Sequence, residues 1–276
     1  MVRADLHSHT TCSDGFTPPR ELVREAKSAG LDVLAVTDHD SVEALPECLD
    51  EARSAGLRLL PGIEMSSRFE GKDVHVLGYG LDPSAKELLA VLSSLPARRR
   101  ERVHAICAKL AALGVTLDAK EVLEEAGGKS VGRRHVARAM VKKGIVPSIN
   151  EAFNKYLGTD SPANVPAGEM TPGEAAALIV RFGGLAVLAH PGFLDAASVA
   201  ERVLDAAPLI RGIEVFHRYR SKTTHLAYLD AARRRNLLVT GGSDFHGDRS
   251  PRNAALGSMI YPSAYWKDFE KRLNAQ

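Results

Sequence analysis

The chain has 276 residues, of which 45% are hydrophobic and 25% are charged, and its formal net charge is +2. A chain of this length and hydrophobic content can bury one large core or two modest ones, which excludes an intrinsically disordered protein. Its longest apolar runs fall far short of the roughly 20 residues that a membrane-spanning helix needs, and the N-terminus lacks a signal-peptide core. We therefore expect a globular, cytoplasmic protein with no membrane partner.

The chain has three cysteines, Cys12, Cys48 and Cys107. Their number is odd, and none of them forms a CxxC pair. This pattern excludes a disulfide framework and a thiolate zinc site, and it is typical of free thiols in the cytosol.

The first part of the chain alternates between strand and helix patterns. Strands are predicted at residues 2–7, 31–40, 57–67 and 73–81. Helices are predicted at residues 17–30 and 41–56. The third and fourth strands are so close in sequence that only a hairpin or a bulge can connect them.

The alternation resumes after residue 170, with strands predicted at 185–191, 210–216 and 237–247 between amphipathic helices. Repeated strand and helix units of this kind indicate an α/β fold with a mostly parallel sheet that is closed or nearly closed. Residues 96–170 contain helix patterns and no convincing strand. We therefore expect a discontinuous α/β domain, residues 1–95 and 171–276, interrupted by an all-α insertion at 96–170.

The positive charge is concentrated in the middle of the chain. Residues 97–170 hold 13 Lys and Arg against 8 Asp and Glu, whereas the remainder has slightly more acidic than basic residues. This surplus indicates either a surface for an anionic partner or ordinary solvated helix faces, and the charge alone leaves both interpretations open.

Residues that can bind metals recur where the predicted strands end, beginning with an HxH pair after the first strand. The candidates are His7, His9, Asp14, His39, Glu64, His75, His190, Asp244 and His246. The carboxyl ends of parallel strands meet at one rim of an α/β fold, so we expect these side chains to share a site. A structural role is the commoner explanation for one such histidine, but it would have to hold separately for every member of the set.

Imidazole and carboxylate ligands without a thiolate suit Zn²⁺, Mn²⁺ and Fe²⁺. Nine candidates exceed what one ion can use, so we expect two or three divalent ions. Alternate side chains of an extended segment lie on one face, which lets His7 and His9 reach the same ion, and a carboxylate such as Glu64 can bridge two ions. Ions about 4 Å apart polarise a phosphoryl oxygen, activate water and stabilise the leaving oxygen, which predicts hydrolysis of phosphate esters.

These segments resemble the motifs of the PHP family, the polymerase and histidinol phosphatase phosphoesterases. The motifs are DLHSHTTCSDG, TDHD, GIEMS, the histidine of DVHVLGYG, AHPG and GGSDFHG, in the order that the family has them. The resemblance implies a distorted (β/α)7 barrel, the PHP fold, with an all-α insertion subdomain. It assigns one ion to His7, His9, Glu64 and Asp244, a second to Glu64, His75 and His190, and a third to Asp14, His39 and His246.

Asp14 departs from the family pattern, because many members have a histidine at this position. An aspartate shifts the ligand set towards oxygen, which favours Mn²⁺ or Fe²⁺ over Zn²⁺ for the third ion. Mn²⁺ is therefore the expected metal, with Fe²⁺ and Zn²⁺ as alternatives. Asp244 is also assigned a catalytic role, as the proton acceptor beside the attacking water.

The insertion is similar to one bacterial subgroup of the family, through the segments GRRHVARAMVKKG and EAFNKYLG. Members of that subgroup remove the 3′-phosphate from nucleoside 3′,5′-bisphosphates and trim short RNA from the 5′ end, and their helices form a cap. The resemblance implies that Arg133, Arg134 and His135 hold a second phosphate and that Lys155 also contacts substrate. Ordinary surface charge on a helix is the alternative explanation.

His217, which follows a predicted strand, matches a family histidine that contacts the phosphate or protonates the leaving oxygen. Many relatives have a second histidine three residues later, where this chain has Arg220. An arginine binds phosphate but does not donate a proton usefully at this position, so the sequence does not predict a mechanism with two histidines.

The resulting hypothesis is a metal-dependent phosphoesterase that acts on small anionic nucleotides. The expected substrates are nucleoside 3′,5′-bisphosphates, with short RNA as a further substrate and phosphate as a product. Two alternatives stay open: a phosphatase for histidinol phosphate or another small phosphomonoester, and an inactive PHP scaffold. The sequence predicts no protein partner.

Overall fold

The computed structural model describes residues 2–127, 129–166, 170–194, 197–219, 222–248, 255–259 and 261–275. Seven strands form one sheet whose spatial order follows the chain. They are β1 (Ala4–Asp5), β2 (Val33–Val36), β3 (Arg58–Phe69), β4 (Lys72–Tyr79), β5 (Leu185–Leu188), β6 (Gly212–Phe216) and β7 (Leu238–Gly241). Neighbouring strands are parallel, except that β4 is antiparallel to both β3 and β5.

The two ends of the sheet meet. The backbone N–H of Leu6 donates to the carbonyl of Gly241 at 3.2 Å, and that of His9 donates to the carbonyl of Phe245 at 2.8 Å. Strands β3 and β4 form a hairpin whose turn residues, Glu70 and Gly71, both have positive φ. The nearly closed, distorted α/β barrel expected from the sequence is confirmed.

The described helices are α1 (Pro19–Ser28), α2 (Leu45–Ala55), α3 (Lys86–Leu92), α4 (Leu95–Ala112), α5 (Ala119–Glu125), α6 (Arg133–Lys142), α7 (Ile149–Ala152), α8 (Pro172–Arg181), α9 (Ala197–Ala206), α10 (Lys222–Arg235) and α11 (Ser263–Leu273). Leu34 of β2 belongs to an outer apolar cluster that also includes residues of the outer helices, such as Leu22 and Ile179. Among the described residues, no helix is long and apolar enough to cross a membrane.

The barrel interior is filled by the strand side chains that point inward, and these alternate along each strand with the side chains that point outward. Val33 and Ala35 belong to this inner cluster, together with the large rings of Tyr79 and Phe269. The rings of Tyr79 and Phe269 meet edge to face at 5.3 Å, and Tyr79 Oη donates to the carbonyl of Leu6 at 2.8 Å. Helix α11 thus packs into one end of the barrel, and the opposite end is left for the polar residues described below.

Between β4 and β5 the described residues form helices α3 to α8 and no strand. Helix α7 continues into a π-helical turn at Phe153–Leu157. Helices α4 to α7, the central helices, bury their own apolar cluster, which includes Ile106, Met140 and Leu157 and is distinct from the two clusters of the barrel. Helix α4 begins at Leu95, next to the predicted start of the insertion, while the division into two domains stays a prediction.

Candidate metal centre

The segments that follow the parallel strands form one rim of the barrel, and Glu64 of β3 lies at its centre. Glu64 is fully buried, and its Oε2 lies 3.2 Å from the Nε2 atoms of both His7 and His9. Asp244 Oδ1 approaches the same two nitrogens, at 3.6 Å from His7 and 3.2 Å from His9. Both histidines follow β1, and the HxH spacing brings their rings to one place.

The other carboxylate oxygen of Glu64 faces a second pair of imidazoles. Glu64 Oε1 lies 2.8 Å from His75 Nδ1 and 2.8 Å from His190 Nε2. His190 closely follows β5, whereas His75 lies within the antiparallel strand β4, opposite Ser66 of β3. One carboxylate thereby connects two groups of nitrogen ligands.

A third group lies around Asp14. Asp14 Oδ1 lies 3.3 Å from His246 Nε2 and 3.9 Å from both His39 Nε2 and His9 Nδ1. His39 Nδ1 in turn lies 3.1 Å from Glu64 Oε2, so this group is continuous with the first. The structure therefore brings all nine candidate ligands to one rim, while their assignment to individual ions stays a prediction.

Several atoms at the centre of this cluster are buried and make no hydrogen bond with any described residue. They are His7 Nε2, His9 Nε2, Asp14 Oδ1, His39 Nδ1 and Glu64 Oε2. An unpaired buried polar atom costs roughly 1–3 kcal/mol, so five of them in one place indicate that one or more ligands bind to this cluster. Nitrogen and oxygen atoms that lie within 4.8 Å of one another fit divalent cations.

The pKa shifts within the cluster also agree with binding of divalent cations. Burial raises the pKa of Glu64, but the imidazoles, above all His39, outweigh it and hold this pKa well below the ordinary range. Burial, assisted by Arg134, lowers the pKa of His246 to about 4. Burial opposes protonation of His9 as well, yet Asp244 and Glu64 raise its pKa to about 9. A field that favours a proton at His9 also favours a metal cation there.

Glu214 belongs to the site, although the sequence analysis missed it. It lies in β6, is fully buried, and its Oε1 lies 3.0 Å from His7 Nδ1. Its Oε2 accepts a hydrogen bond from the backbone N–H of His190 at 2.7 Å. A proton held at His7 Nδ1 leaves Nε2 free to face the cluster. The available signal was an acidic residue inside the apolar segment GIEVF, where a buried carboxylate needs a partner.

The backbone of the rim is strained where it carries these residues. Asp40, His190 and Asp244 have φ angles of 50°, 23° and 52°, which non-glycine residues adopt at a cost of about 1–3 kcal/mol each. A Cβ on Gly242 would lie only 2.4 Å from His7 Cβ and 2.5 Å from its backbone nitrogen. Glycine is therefore required where the chain passes His7 after β7.

A cavity of about 460 Å³ lies between the rim and the central helices. This volume is within the range of small-molecule sites, so the cavity can take a ligand larger than inorganic phosphate. Cluster residues such as Asp14, Glu64 and His246 line it. Five arginines also line it: Arg99, Arg102, Arg133, Arg134 and Arg218.

Three of these arginines are paired with carboxylates of the barrel. Arg99 Nε donates to Asp40 Oδ2 at 2.9 Å, and Arg102 Nη2 donates to Asp73 Oδ2 at 3.0 Å. Arg133 Nη2 lies 3.1 Å from the same oxygen of Asp73. Burial lowers the pKa of Arg102 to about 9, against the opposing effect of Asp73. These pairs connect the central helices to the barrel.

The remaining two arginines lie beside carboxylates of the cluster itself. Arg134 Nε lies 3.9 Å from Asp14 Oδ2, and Arg218 Nη2 donates to Asp244 Oδ2 at 3.2 Å. Their side chains are 12% and 27% exposed. Both therefore border the cavity next to the cluster. Arg134 was a candidate from the sequence. Arg218 was not, although its neighbours His217 and Arg220 were.

Two other substrate-binding candidates lie elsewhere. His135 is buried, and its Nδ1 accepts a hydrogen bond from the backbone N–H of Gly132 at the start of α6. Lys155 is 58% exposed and lies 3.3 Å from Glu151. Neither is among the described residues that line the cavity. For His135, helical geometry explains its position, because residues that follow one another on a helix point in different directions.

His217 lies next to Asp244. It is 1% exposed, its Nε2 is 3.7 Å from Asp244 Oδ2, and the described lining of the cavity does not include it. Burial lowers its pKa, against the opposing effect of Asp244. Neither of its ring nitrogens makes a hydrogen bond with a described residue, and its role in the reaction stays a prediction. Arg220 lies outside the described residues.

The chain resembles known proteins over nearly its whole length. The PHP domain family matches residues 5–125. A 3′,5′-nucleoside bisphosphate phosphatase of Chromobacterium violaceum is 34% identical over 280 residues, which cover 99% of this chain and 98% of that protein. The 5′-3′ exoribonuclease Rnm of Salmonella typhimurium is 34% identical over 247 residues, which cover 88% of this chain and 84% of that protein.

The fold has relatives among solved structures as well. A protein from Bifidobacterium adolescentis assigned as a metal-dependent phosphoesterase superimposes with a TM-score of 0.86 at 30% identity. The superposition covers 98% of this chain and 96% of that one. With the barrel, the rim of imidazoles and carboxylates and these similarities, the chain belongs to the PHP family of phosphoesterases.

Proposed function

We propose that this chain removes the 3′-phosphate from nucleoside 3′,5′-bisphosphates and trims short RNA from the 5′ end at the same site. The observation that carries this proposal is one cavity in which a cluster of imidazoles and carboxylates lies beside Arg134 and Arg218. A substrate with two phosphates matches that arrangement, since one phosphate can lie on the cluster and the other on the guanidinium groups. The names of the two relatives support both activities.

Two or three divalent ions belong to this proposal, with Mn²⁺ expected and Fe²⁺ or Zn²⁺ as alternatives. Their ligands would be His7, His9, Asp14, His39, Glu64, His75, His190, Asp244 and His246. When bound, the ions polarise the phosphoryl oxygens and activate water. The aspartate oxygen of Asp14 favours Mn²⁺ or Fe²⁺ at its end of the cluster.

The protein groups around the cluster position the reacting atoms. Asp244 Oδ1 faces the ligand nitrogens while Oδ2 faces Arg218, so Oδ2 is the proposed proton acceptor. His217 Nε2 lies 3.7 Å from the same Oδ2, and His217 is the proposed proton donor to the leaving oxygen. Glu214 fixes the ring of His7 through Nδ1. The product would be free phosphate and a nucleoside 5′-monophosphate.

Arg134 and Arg218 are the proposed holders of the phosphate that is not cleaved. Each borders the cavity next to a carboxylate of the cluster, so each lies within reach of a substrate bound there. Arg133, by contrast, donates Nη1 to the carbonyl of Leu157 at 3.1 Å and lies against Asp73. We propose that Arg133 positions the helical cap around the cavity.

A panel of phosphate esters tests the proposal. Metal-loaded protein is mixed with a nucleoside 3′,5′-bisphosphate, histidinol phosphate, an aryl phosphate or a 5′-phosphorylated short RNA, and released phosphate and shortened RNA are measured. We expect the highest kcat/KM for the bisphosphate. Faster turnover of histidinol phosphate would favour a phosphomonoesterase for that substrate, and no turnover of any ester would favour an inactive scaffold.

The second phosphate is tested by Arg134→Ala. Hydrogen bonds to charged groups are each worth about 1.5–3 kcal/mol, so kcat/KM for the bisphosphate should fall roughly 10- to 100-fold. The aryl phosphate, with one phosphate, should lose much less. Arg138→Ala is the matched control, because Arg138 lies one turn later on α6 and packs over Phe16 outside this cavity. Equal losses on both substrates would contradict a second phosphate site.

The three cysteines are free and buried, which agrees with the cytoplasmic location that we also propose. Small anionic nucleotides, phosphate and short RNA are the partners that this proposal includes.

A further inference from the structure

Phe193 presents an apolar ring to a cavity that is otherwise rich in charge. Its exposed fraction is 50%, although large aromatic side chains are usually buried. The described residues include five other large apolar side chains that are exposed: Leu89, Leu113, Val180, Leu209 and Leu226. None of those five lines the cavity, whereas Phe193 does. An exposed apolar ring at this position needs an explanation in terms of what fills the cavity.

The exposure of Phe193 is imposed by a well-held turn. Phe193 ends a short 3₁₀-helix, Pro191–Phe193, which directly follows the cluster residue His190. The carbonyl of Pro191 accepts a hydrogen bond from Tyr228 Oη at 2.9 Å, and the backbone N–H of Phe193 donates to the carbonyl of His190 at 3.1 Å. The backbone of the turn is therefore held in place, and half of the surface of Phe193 is uncovered.

The packing around this turn also restricts where the ring can lie. A Cβ on Gly192 would lie 2.4 Å from the ring of Tyr219, so the turn and Tyr219 are in close contact. The centroid of the Phe193 ring is 5.1 Å from that of His217, at an interplanar angle of 90°, and 5.5 Å from that of His190. One side of Phe193 is thus supported by side chains next to the cluster, and the rest of it borders the cavity.

The same cavity contains groups that suit the other features of a nucleobase. Phe153 of the π-helical turn lines it, with the guanidinium of Arg133 5.8 Å from the centre of its ring. The side chains of Asn150 and Asn154 line it too, and amides can both donate and accept hydrogen bonds at the edge of a base. A planar heterocycle linked to two phosphates matches this combination of rings, amides and arginines.

We propose that Phe193 is the stacking platform for the nucleobase of the substrate, and that it selects phosphate esters with a planar base. This inference rests on the proposed function, since it assigns the base of the same nucleotide. A base that stacks on an aromatic side chain gains roughly 5- to 150-fold in binding, with little dependence on which base it is. Phe193 would therefore favour nucleotides over sugar phosphates without a strong sequence preference.

The test compares two substrates that differ only in the base. These are adenosine 3′,5′-bisphosphate and 1-deoxyribose 3,5-bisphosphate, which has the same phosphates and no base. For the wild type, kcat/KM should favour the nucleotide. In Phe193→Ala, the ratio of the two kcat/KM values should fall about 5- to 100-fold, mainly through KM for the nucleotide. Phe193→Trp should retain the ratio, because it keeps an aromatic face.

Leu226→Ala is the matched control, since Leu226 is 65% exposed and lies on α10 outside the described lining of the cavity. An equal loss on both substrates in Phe193→Ala would assign Phe193 a packing role beside the cluster and overturn the platform. No loss on either substrate would overturn it as well. If the proposed function itself is wrong, the wild type will release no phosphate from either substrate, which distinguishes that failure from a failure of the stacking proposal.

Discussion

The rim of the barrel and the central helices opposite it, α4 to α7, border one cavity, yet their polar residues are arranged in opposite ways. These helices form the helical wall of the cavity. At the rim, imidazoles and carboxylates converge, and buried atoms such as Glu64 Oε2 have no hydrogen bond among the described residues. On the helical wall, Arg99, Arg102 and Arg133 each lie against a carboxylate of the barrel. Unpaired groups are arranged to bind a ligand, whereas paired groups hold the wall in position.

Two consecutive residues of α6 illustrate the difference. Arg133 is held by Asp73 and by the carbonyl of Leu157, while Arg134 lies beside Asp14 of the cluster. The two side chains leave the helix about 100° apart, because an α-helix has 3.6 residues per turn. Position on the helix therefore decides which arginine is paired with the barrel and which lies beside the cluster.

The largest effect is expected from Glu64→Gln, which removes the charge that connects the groups of ligands. Glutamine keeps the shape of the side chain but is a poor metal ligand, so metal content should fall with activity. Metal ions contribute several kcal/mol to phosphoryl transfer, which corresponds to a loss of about 1,000-fold or more in kcat. Elemental analysis of the purified protein and phosphate release measure the two quantities.

Two further variants provide a comparison for the loss expected in Glu64→Gln. Glu214→Gln changes the residue that orients His7, and loss of such an outer partner costs about 10- to 100-fold in metal affinity or activity. Glu70→Gln is the control, because Glu70 is exposed in the β3–β4 turn and pairs with Arg202. A smaller loss in Glu64→Gln than in Glu214→Gln would contradict the central position given to Glu64.

The paired wall is tested by Arg99→Met, which leaves the buried carboxylate of Asp40 without its guanidinium. The loss of one member of a buried ion pair costs about 3–5 kcal/mol in the free energy of unfolding, and urea denaturation of the metal-loaded protein measures it. Adding Asp40→Asn should recover part of this loss. In the exposed pair of Arg202 and Glu70, Arg202→Met should cost only about 0–1 kcal/mol. Similar losses in both arginine variants would show that Arg99 does not hold the wall.

The rim could be predicted from the sequence because its ligands follow successive predicted strands. His7 and His9 are one residue apart, and such a pair shares one face in extended backbone wherever the rest of the chain lies. The alternation of patterns predicted seven strands in a mostly parallel, nearly closed sheet, and the structure has seven strands in one such sheet. Most of these ligands are close together because parallel strands of a barrel end on the same side, whereas His75 reaches the rim from the antiparallel strand β4.

The helical wall could not be predicted in the same way. Arg99, Arg133 and Arg134 are all charged residues on amphipathic helices, and only the tertiary structure decides which of them meets a carboxylate. Phe153 and Phe193 border one cavity although 40 residues separate them, so no local pattern of aromatic residues marks the pair. Glu214 was missed for a related reason, since the carboxylate is paired with a histidine about 200 residues away.

The smallest of these effects concerns His135, which the sequence suggested as a phosphate ligand and which instead lies within the wall. Burial lowers the pKa of His135 to about 4, and its Nδ1 accepts the hydrogen bond from Gly132. An unfolded histidine has a pKa of about 6.5. The unfolded chain therefore binds an additional proton between pH 6.5 and 4, so stability is complete above about pH 6.5 and falls as the pH drops towards 4.

His135→Gln should remove this pH dependence, because glutamine can accept the hydrogen bond from Gly132 but does not titrate. Urea denaturation of chelator-treated wild type and variant at pH 7.5 and 4.5 should show that the wild type loses about 2–3 kcal/mol more than the variant. Other titrating groups cancel in this difference, since both proteins contain them. His104→Gln, at an exposed position of α4, should behave like the wild type. Parallel losses in wild type and His135→Gln would mean that His135 is protonated in the folded wall, where it could bind an anion after all.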